Sequence, residues 1–312
     1  MHLVFLVALL ASAAPADAGA TARAPAAPKP VSFEYDARQP LDIKDTVVAD
    51  TPELTLHDIT YASANQQRVV AYLVVPKGKG PFVPIVFGHW GNGSRAEFIP
   101  EAKLYARVGA ISILPDYPWD RSEPYRRTTD HFDKPELDRD TFAQAVIDLR
   151  RASDVLLARK DVDPKRLAYV GHSYGAQWGA ILTAVDKRMR TAVLMAGVGE
   201  IGDLLLKNPD PGFVELRKAL PPGVLEGYVQ VVSEVDGIRF VRKAAPVSVL
   251  MQFGRFEQYF DRDSANRYSA AATEPKKVLW YDAAHDLNDP QCLHDRYAWL
   301  VEHVGLKPGL SF

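Results

Sequence analysis

Cysteine is nearly absent: Cys292 is the single one in 312 residues. No internal disulfide can therefore hold the fold together, and stability must come from core burial, which a chain of this length can supply. An excess of one charge is also missing. Lys and Arg number 37 and Asp and Glu 39, a net charge of −2, so there is no basic footprint of the kind that binds nucleic acid or anionic lipid. No His, Asp and Glu residues recur at metal-ligand spacing, and no Gly-rich dinucleotide turn opens the first βα unit. Neither a metal nor another cofactor is expected. No repeat of solenoid length is present.

Long apolar runs are almost as scarce. Leu3 to Leu10 (LVFLVALL) is too short to span a bilayer. Small residues follow it, and Ala16-Asp17-Ala18 has the small-x-small pattern that a signal peptidase accepts. Residues 1–20 are read as a removed secretory signal, which implies a secreted or periplasmic protein without a stable membrane span. Residues 21–45 are read as a linker, Ala/Pro-rich at its start. Residues 46–312 form one domain.

Along that domain strand and helix patterns alternate. Strands are expected at Leu54–Tyr61 (an edge strand), Arg68–Val75, Val83–His89, Ala110–Pro115, Arg166–Val170, Thr191–Met195, Pro246–Phe253 and Lys277–Tyr281. Helical spacing covers Glu97–Val108, Asp140–Lys160 and Asp289–Val304. Buried strands without polar alternation, separated by helices, imply a mostly parallel sheet covered on both faces. The stretch 197–245 breaks the rhythm. It is about twice an ordinary crossover in length, carries Pro209, Pro211, Pro221 and Pro222, and holds amphipathic pieces at Phe213–Leu220 and Val224–Val232. It reads as a small cap.

The most telling motif is Gly171-His172-Ser173-Tyr174-Gly175, between the apolar run Leu167–Val170 and a helix-compatible stretch from Ala176. Strand, sharp turn and helix with a serine at the apex make a nucleophile elbow, in which a Cβ at either flank would clash. A serine hydroxyl needs a base. His285, in the loop after the last strand, is the candidate, because the order nucleophile, acid, histidine suits this turn. Glu257, three residues past Gly254, is the candidate acid, with Asp261 or Asp263 as alternatives. Oxyanion donors are expected from the backbone amide of Tyr174 and from Trp90 or Gly91 in the loop Gly88–Gly93. The excursion Tyr117–Asp133 falls near the expected rim.

This pattern resembles the α/β-hydrolase superfamily, in particular its dienelactone-hydrolase-like and acetyl-xylan-esterase-like branch. The matching pieces are Arg68–Pro76, the Phe87–Gly93 loop, Asp163–Arg166, the elbow and His285. The resemblance implies an α/β fold with a mostly parallel eight-stranded sheet flanked by helices, plus the cap insertion. True dienelactone hydrolases use a cysteine nucleophile, so Ser173 points to ordinary ester hydrolysis. His89-Trp90 stands where His-Gly is usual.

The expected function is a serine carboxylic-ester hydrolase that acts on a small-molecule ester through an acyl-enzyme. A peptidase or amidase, an acyltransferase, and a non-catalytic binding module on the same fold are the alternatives. Oligomeric state cannot be read from the residues.

Overall fold

The computed structural model describes residues 30–64 and 67–311. The expected secretory signal lies outside the described residues. A single sheet of nine strands forms the centre, in the order β1-β2-β3-β5-β4-β6-β7-β8-β9. The strands are β1 Lys44–Asp50, β2 Leu54–Ala62, β3 Arg68–Pro76, β4 Val83–Gly88, β5 Ala110–Pro115, β6 Ala168–His172, β7 Thr191–Met195, β8 Ser248–Gly254 and β9 Lys276–Tyr281. Strands β1 to β3 form an antiparallel meander, and β3 pairs antiparallel with β5. From β5 to β9 all pairing is parallel.

The sheet thus has nine strands, one more than the sequence pattern suggested. The extra strand is β1, and it, not β2, is the edge. Its residues are almost all exposed, so no burial imposes a readable apolar pattern on them. Upstream of β1, Phe33 is buried. The Tyr35 hydroxyl donates to Asp154 at 2.9 Å, and Arg150 donates to the Phe33 carbonyl at 2.7 Å.

Among the described residues there are eight α-helices, in chain order α1 Ile99–Arg107, α2 Pro135–Leu157, α3 Tyr174–Val185, α4 Pro211–Ala219, α5 Val224–Val232, α6 Gly237–Val241, α7 Arg262–Ala271 and α8 Pro290–Val304. Helix α2 starts five residues before the expected Asp140. Its first turn, Pro135 to Arg139, lacks apolar periodicity, but proline is well suited to a first helical position.

The parallel strands feed two cores, one on each face. Val83, Ile85 and Phe87 of β4 join the core beneath α1 and α8, while Val86 joins the core beneath α2 and α3. The same alternation holds in β7, where Val193 and Met195 face one way and Ala192 and Leu194 the other. This two-residue period with both faces buried explains why these strands read as continuous apolar runs. Strand β4 has β5 on one side and β6 on the other. The chain direction of build-up reverses there, which opens a crevice at the strands' carboxyl ends where ligands bind in such sheets.

Segment 197–245 forms a π-helical turn at Asp203–Lys207 followed by α4, α5 and α6. Among the described residues, no helix is long and apolar enough to cross a membrane.

Candidate active site

Ser173 sits between β6 and α3 with φ +57° and ψ −114°, a left-handed backbone that is rare for a residue with a side chain. Local packing enforces it. A Cβ on Gly171 would lie 2.5 Å from the backbone of Gly175, and one on Gly175 would lie 2.1 Å from the Gly88 carbonyl oxygen. Both positions therefore need glycine. The turn is tied down from outside by Ser173 N donating to Met195 O at 2.8 Å and Gly175 N donating to His89 O at 3.1 Å.

His285 follows β9, and Glu257 follows β8. Their two loops are laced together: Arg255 N donates to Tyr281 O at 2.9 Å and Phe256 N to Ala283 O at 3.1 Å. Gly254 permits that approach, because a Cβ there would stand 2.4 Å from the Ala283 oxygen. The result is a linear hydrogen-bonded chain. His285 Nδ1 lies 2.9 and 2.8 Å from the two Glu257 oxygens, and His285 Nε2 lies 2.8 Å from Ser173 Oγ. Glu257 Oε1 also accepts from the Gln258 and Tyr259 amides, each at 2.9 Å. The carboxylate is thereby fixed from both sides. A proton on Nδ1 satisfies Glu257 and leaves the Nε2 lone pair facing the serine hydroxyl. Both side chains are largely shielded from solvent, 11% exposed for His285 and 7% for Glu257.

The alternative acids are occupied elsewhere. Asp261 caps α7 by accepting from Ser264 N at 2.7 Å, and Asp263 is exposed in the first turn of that helix.

Of the candidate oxyanion donors, the Tyr174 amide begins α3, where N–H groups have no carbonyl partner within the helix. The Trp90 amide is committed to Glu97 Oε2 at 2.7 Å. Gly91 packs against the Tyr174 ring, and its carbonyl accepts from Trp119 Nε1 at 2.9 Å. His89 braces the loop: its Nδ1 donates to the Trp90 carbonyl at 2.7 Å and its Nε2 accepts from the Tyr117 amide at 3.3 Å. Burial pulls its pKa down to about 4, consistent with that neutral tautomer.

Two residues escaped the sequence analysis as site components. Glu97 Oε1 meets His172 Nδ1 at 2.7 Å, and His172 Nε2 donates to the His285 carbonyl at 2.8 Å. Nothing in the local sequence signals this, since 75 positions separate Glu97 from His172.

Above the serine lies a cavity of about 120 Å³. Trp119, Thr129, Asp130 and Phe132 of the 117–133 excursion line it, as do Ile201, Leu204, Leu205, Phe213, Leu216 and Tyr228 from the 197–245 segment. Among the described residues, no group of three or more His, Cys, Asp or Glu side chains could hold a metal ion. Cys292 is buried, and burial pushes its thiol up to about 12.

A nine-stranded, mostly parallel sheet with a serine elbow at its carboxyl edge defines an α/β hydrolase. More particularly, the chain belongs to the acetyl xylan esterase (AXE1) family, whose sequence profile matches residues 35–196. That stretch contains Ser173 but ends before Glu257 and His285. Family membership supports hydrolysis of a carboxylic ester.

Two solved structures similar to the chain are acetyl xylan esterases. One, from Paenibacillus sp. R4, is 20% identical with a TM-score of 0.73, over 85% of this chain and 90% of that one. The other, from Thermoanaerobacterium sp. JW/SL YS485, is 17% identical with a TM-score of 0.72, over 86% and 90%. A puromycin-hydrolyzing peptidase from Mycobacterium tuberculosis is 16% identical with a TM-score of 0.63, over 84% of this chain and 50% of that one. At these identities the likeness concerns the fold. A comparison with curated proteins gave no match.

Proposed function

We propose that the protein is an exported serine hydrolase that cleaves carboxylic esters through an acyl-enzyme. The observation that carries this reading is the chain Glu257–His285–Ser173, with 2.8 Å between base and hydroxyl. His285 Nε2 removes the Ser173 proton as Oγ attacks the ester carbonyl. The negative charge moves onto the carbonyl oxygen, which the amides of Tyr174 and Gly91 stabilise. Gly91 is assigned the second place because the Trp90 amide already serves Glu97. Collapse of the intermediate breaks the bond to the alcohol, and the imidazolium gives that oxygen its proton. Water, deprotonated by the same nitrogen, then attacks the acyl-serine and releases the acid. Glu257 holds the ring and stabilises its charged form throughout.

The test is Ser173→Ala assayed on a short-chain aryl ester, with organophosphonate labelling of the unaltered protein. Turnover is expected to vanish and the label to sit on Ser173. Full turnover in the variant would reject the mechanism. Segment 197–245 is read as a cap, since it walls the cavity above Ser173. Export rests on the run Leu3–Leu10 and on Ala16-Asp17-Ala18. It is tested by N-terminal sequencing of protein recovered outside the cytoplasm, which is expected to begin near residue 19.

A further inference from the structure

The cavity over Ser173 is walled mainly by apolar side chains. Its buried walls are aromatic rings and aliphatic side chains: Phe142, Ile201, Leu205, Phe213, Leu216 and Phe260 are each less than a tenth exposed. The polar atoms that two other wall residues bring are already used inside the protein. The Tyr228 hydroxyl donates to Asp138 at 2.7 Å, and Trp119 Nε1 donates to Gly91 O at 2.9 Å. The lining also holds polar residues, the exposed Asn92 and Asp130 and the half-buried Thr129, Tyr174 and Tyr259, so the apolar surface is that of the buried walls.

In an acetylated polysaccharide the sugar is the alcohol, so only the acetyl group would enter the cavity. An acetyl group fills only a methyl-sized space. A dry apolar cavity near 150 Å³ holds benzene, so one of about 120 Å³ suits a chain of a few carbons.

Orientation follows from the chemistry. The leaving oxygen must take its proton from His285 Nε2, so the alcohol lies on that side. The acyl chain then takes the rest of the cavity, where the Tyr174 ring stands 6.2 Å from that of Trp119 and 6.4 Å from that of Phe142.

From this geometry we infer that the preferred substrate is a hydrophobic ester with an apolar acyl chain of about four to six carbons, not an acetylated polysaccharide. This rests on the serine-esterase reading above and narrows it. Each added methylene that enters the cavity should raise kcat/KM by roughly fourfold, until the cavity is full.

The experiment compares p-nitrophenyl acetate, butanoate, hexanoate and decanoate, adds acetate release from acetylated xylan, and includes fluorophosphonate labelling of Ser173. Expected are a maximum of kcat/KM at butanoate or hexanoate, a fall at decanoate, and little acetate from xylan. In Leu205→Trp, which fills the cavity, the hexanoate-to-acetate ratio should drop at least tenfold. An acetate optimum, or efficient deacetylation of xylan, with Ser173 labelled, overturns the acyl assignment and leaves the hydrolase reading standing. Absence of both labelling and hydrolysis of every ester overturns the two together.

Discussion

Glu97 and His172 form one hydrogen-bonded pair, 2.7 Å apart, that joins three separate loops of the site. Through its second oxygen Glu97 holds the Trp90 amide, and through its second nitrogen His172 holds the carbonyl of His285. Loop, elbow and base loop thus share one link. Displacements of an ångström at a reacting centre can cost about a hundredfold in rate. Glu97→Ala should lower kcat roughly 10- to 100-fold with KM little changed, and phosphonate labelling should slow in parallel. Glu97→Gln, which keeps an acceptor for Trp90, should recover part of the loss. Unchanged kcat in the alanine variant would remove the positioning role.

The neighbouring acids separate cleanly. Glu257→Gln keeps the shape but offers the wrong hydrogen-bonding partner to Nδ1, and kcat should fall about 10³- to 10⁴-fold. Asp261→Ala removes the cap of α7 instead. It should cost about 1 kcal/mol of stability and leave kcat near its original value. Steady-state kinetics and a denaturation curve on both variants check the pair. The reverse pattern would transfer the acid role to Asp261.

At the elbow, Gly175→Ala sets a methyl 2.1 Å from a backbone oxygen of β4. Neither strand nor helix can yield without disturbing the sheet. A loss of about 3 kcal/mol or more is expected, together with loss of activity. Denaturant titration measures it, and an unaltered midpoint would contradict the described packing.

Asp236 is buried, and desolvation raises its pKa to about 7, although its carboxylate accepts from Ile201 N at 2.8 Å. The sign follows from the raised value: the folded state binds the proton more tightly than the unfolded chain does. The contribution of Asp236 to stability is therefore greatest below the ordinary carboxylate range and is lost as pH rises through about 7. Asp236→Asn keeps an acceptor for Ile201 but cannot ionise. It should be more stable than the parent at pH 8 by on the order of 1–2 kcal/mol, with the advantage shrinking towards pH 4. Thermal melts across that range decide it, and an equal or lower melting point at pH 8 would refute the linkage.

What the sequence disclosed follows from where burial acts. Strands β5 and β7 could be bounded to the residue because both faces are covered and their side chains form near-continuous apolar runs. As candidates, Ser173 and His285 stood out because a tight turn and a loop after the last strand leave local marks; of the candidate acids Glu257, Asp261 and Asp263, Glu257 is the one beside the His285 ring. Strand β1 left no mark, since exposure places no demand on its side chains. The first turn of α2 was hidden because its buried members, Asp138 and Arg139, are polar, and Asp138 is held by partners far along the chain, among them Tyr228. The Glu97–His172 pair was equally invisible, because contact between distant residues has no periodicity to betray it.

The proposed acid and base, Glu257 and His285, ride on loops stitched to each other by main-chain bonds, whereas the proposed nucleophile, Ser173, arrives on a different strand with β7 between. The machinery is therefore two halves joined by the His172–His285 carbonyl bond, not three independent parts. When heat or denaturant begins to loosen the crevice, the seam between those halves should open first. Activity would then fade while the imidazole is still gripped by its carboxylate, so a gently warmed sample should regain full turnover on cooling, long before the sheet itself comes apart.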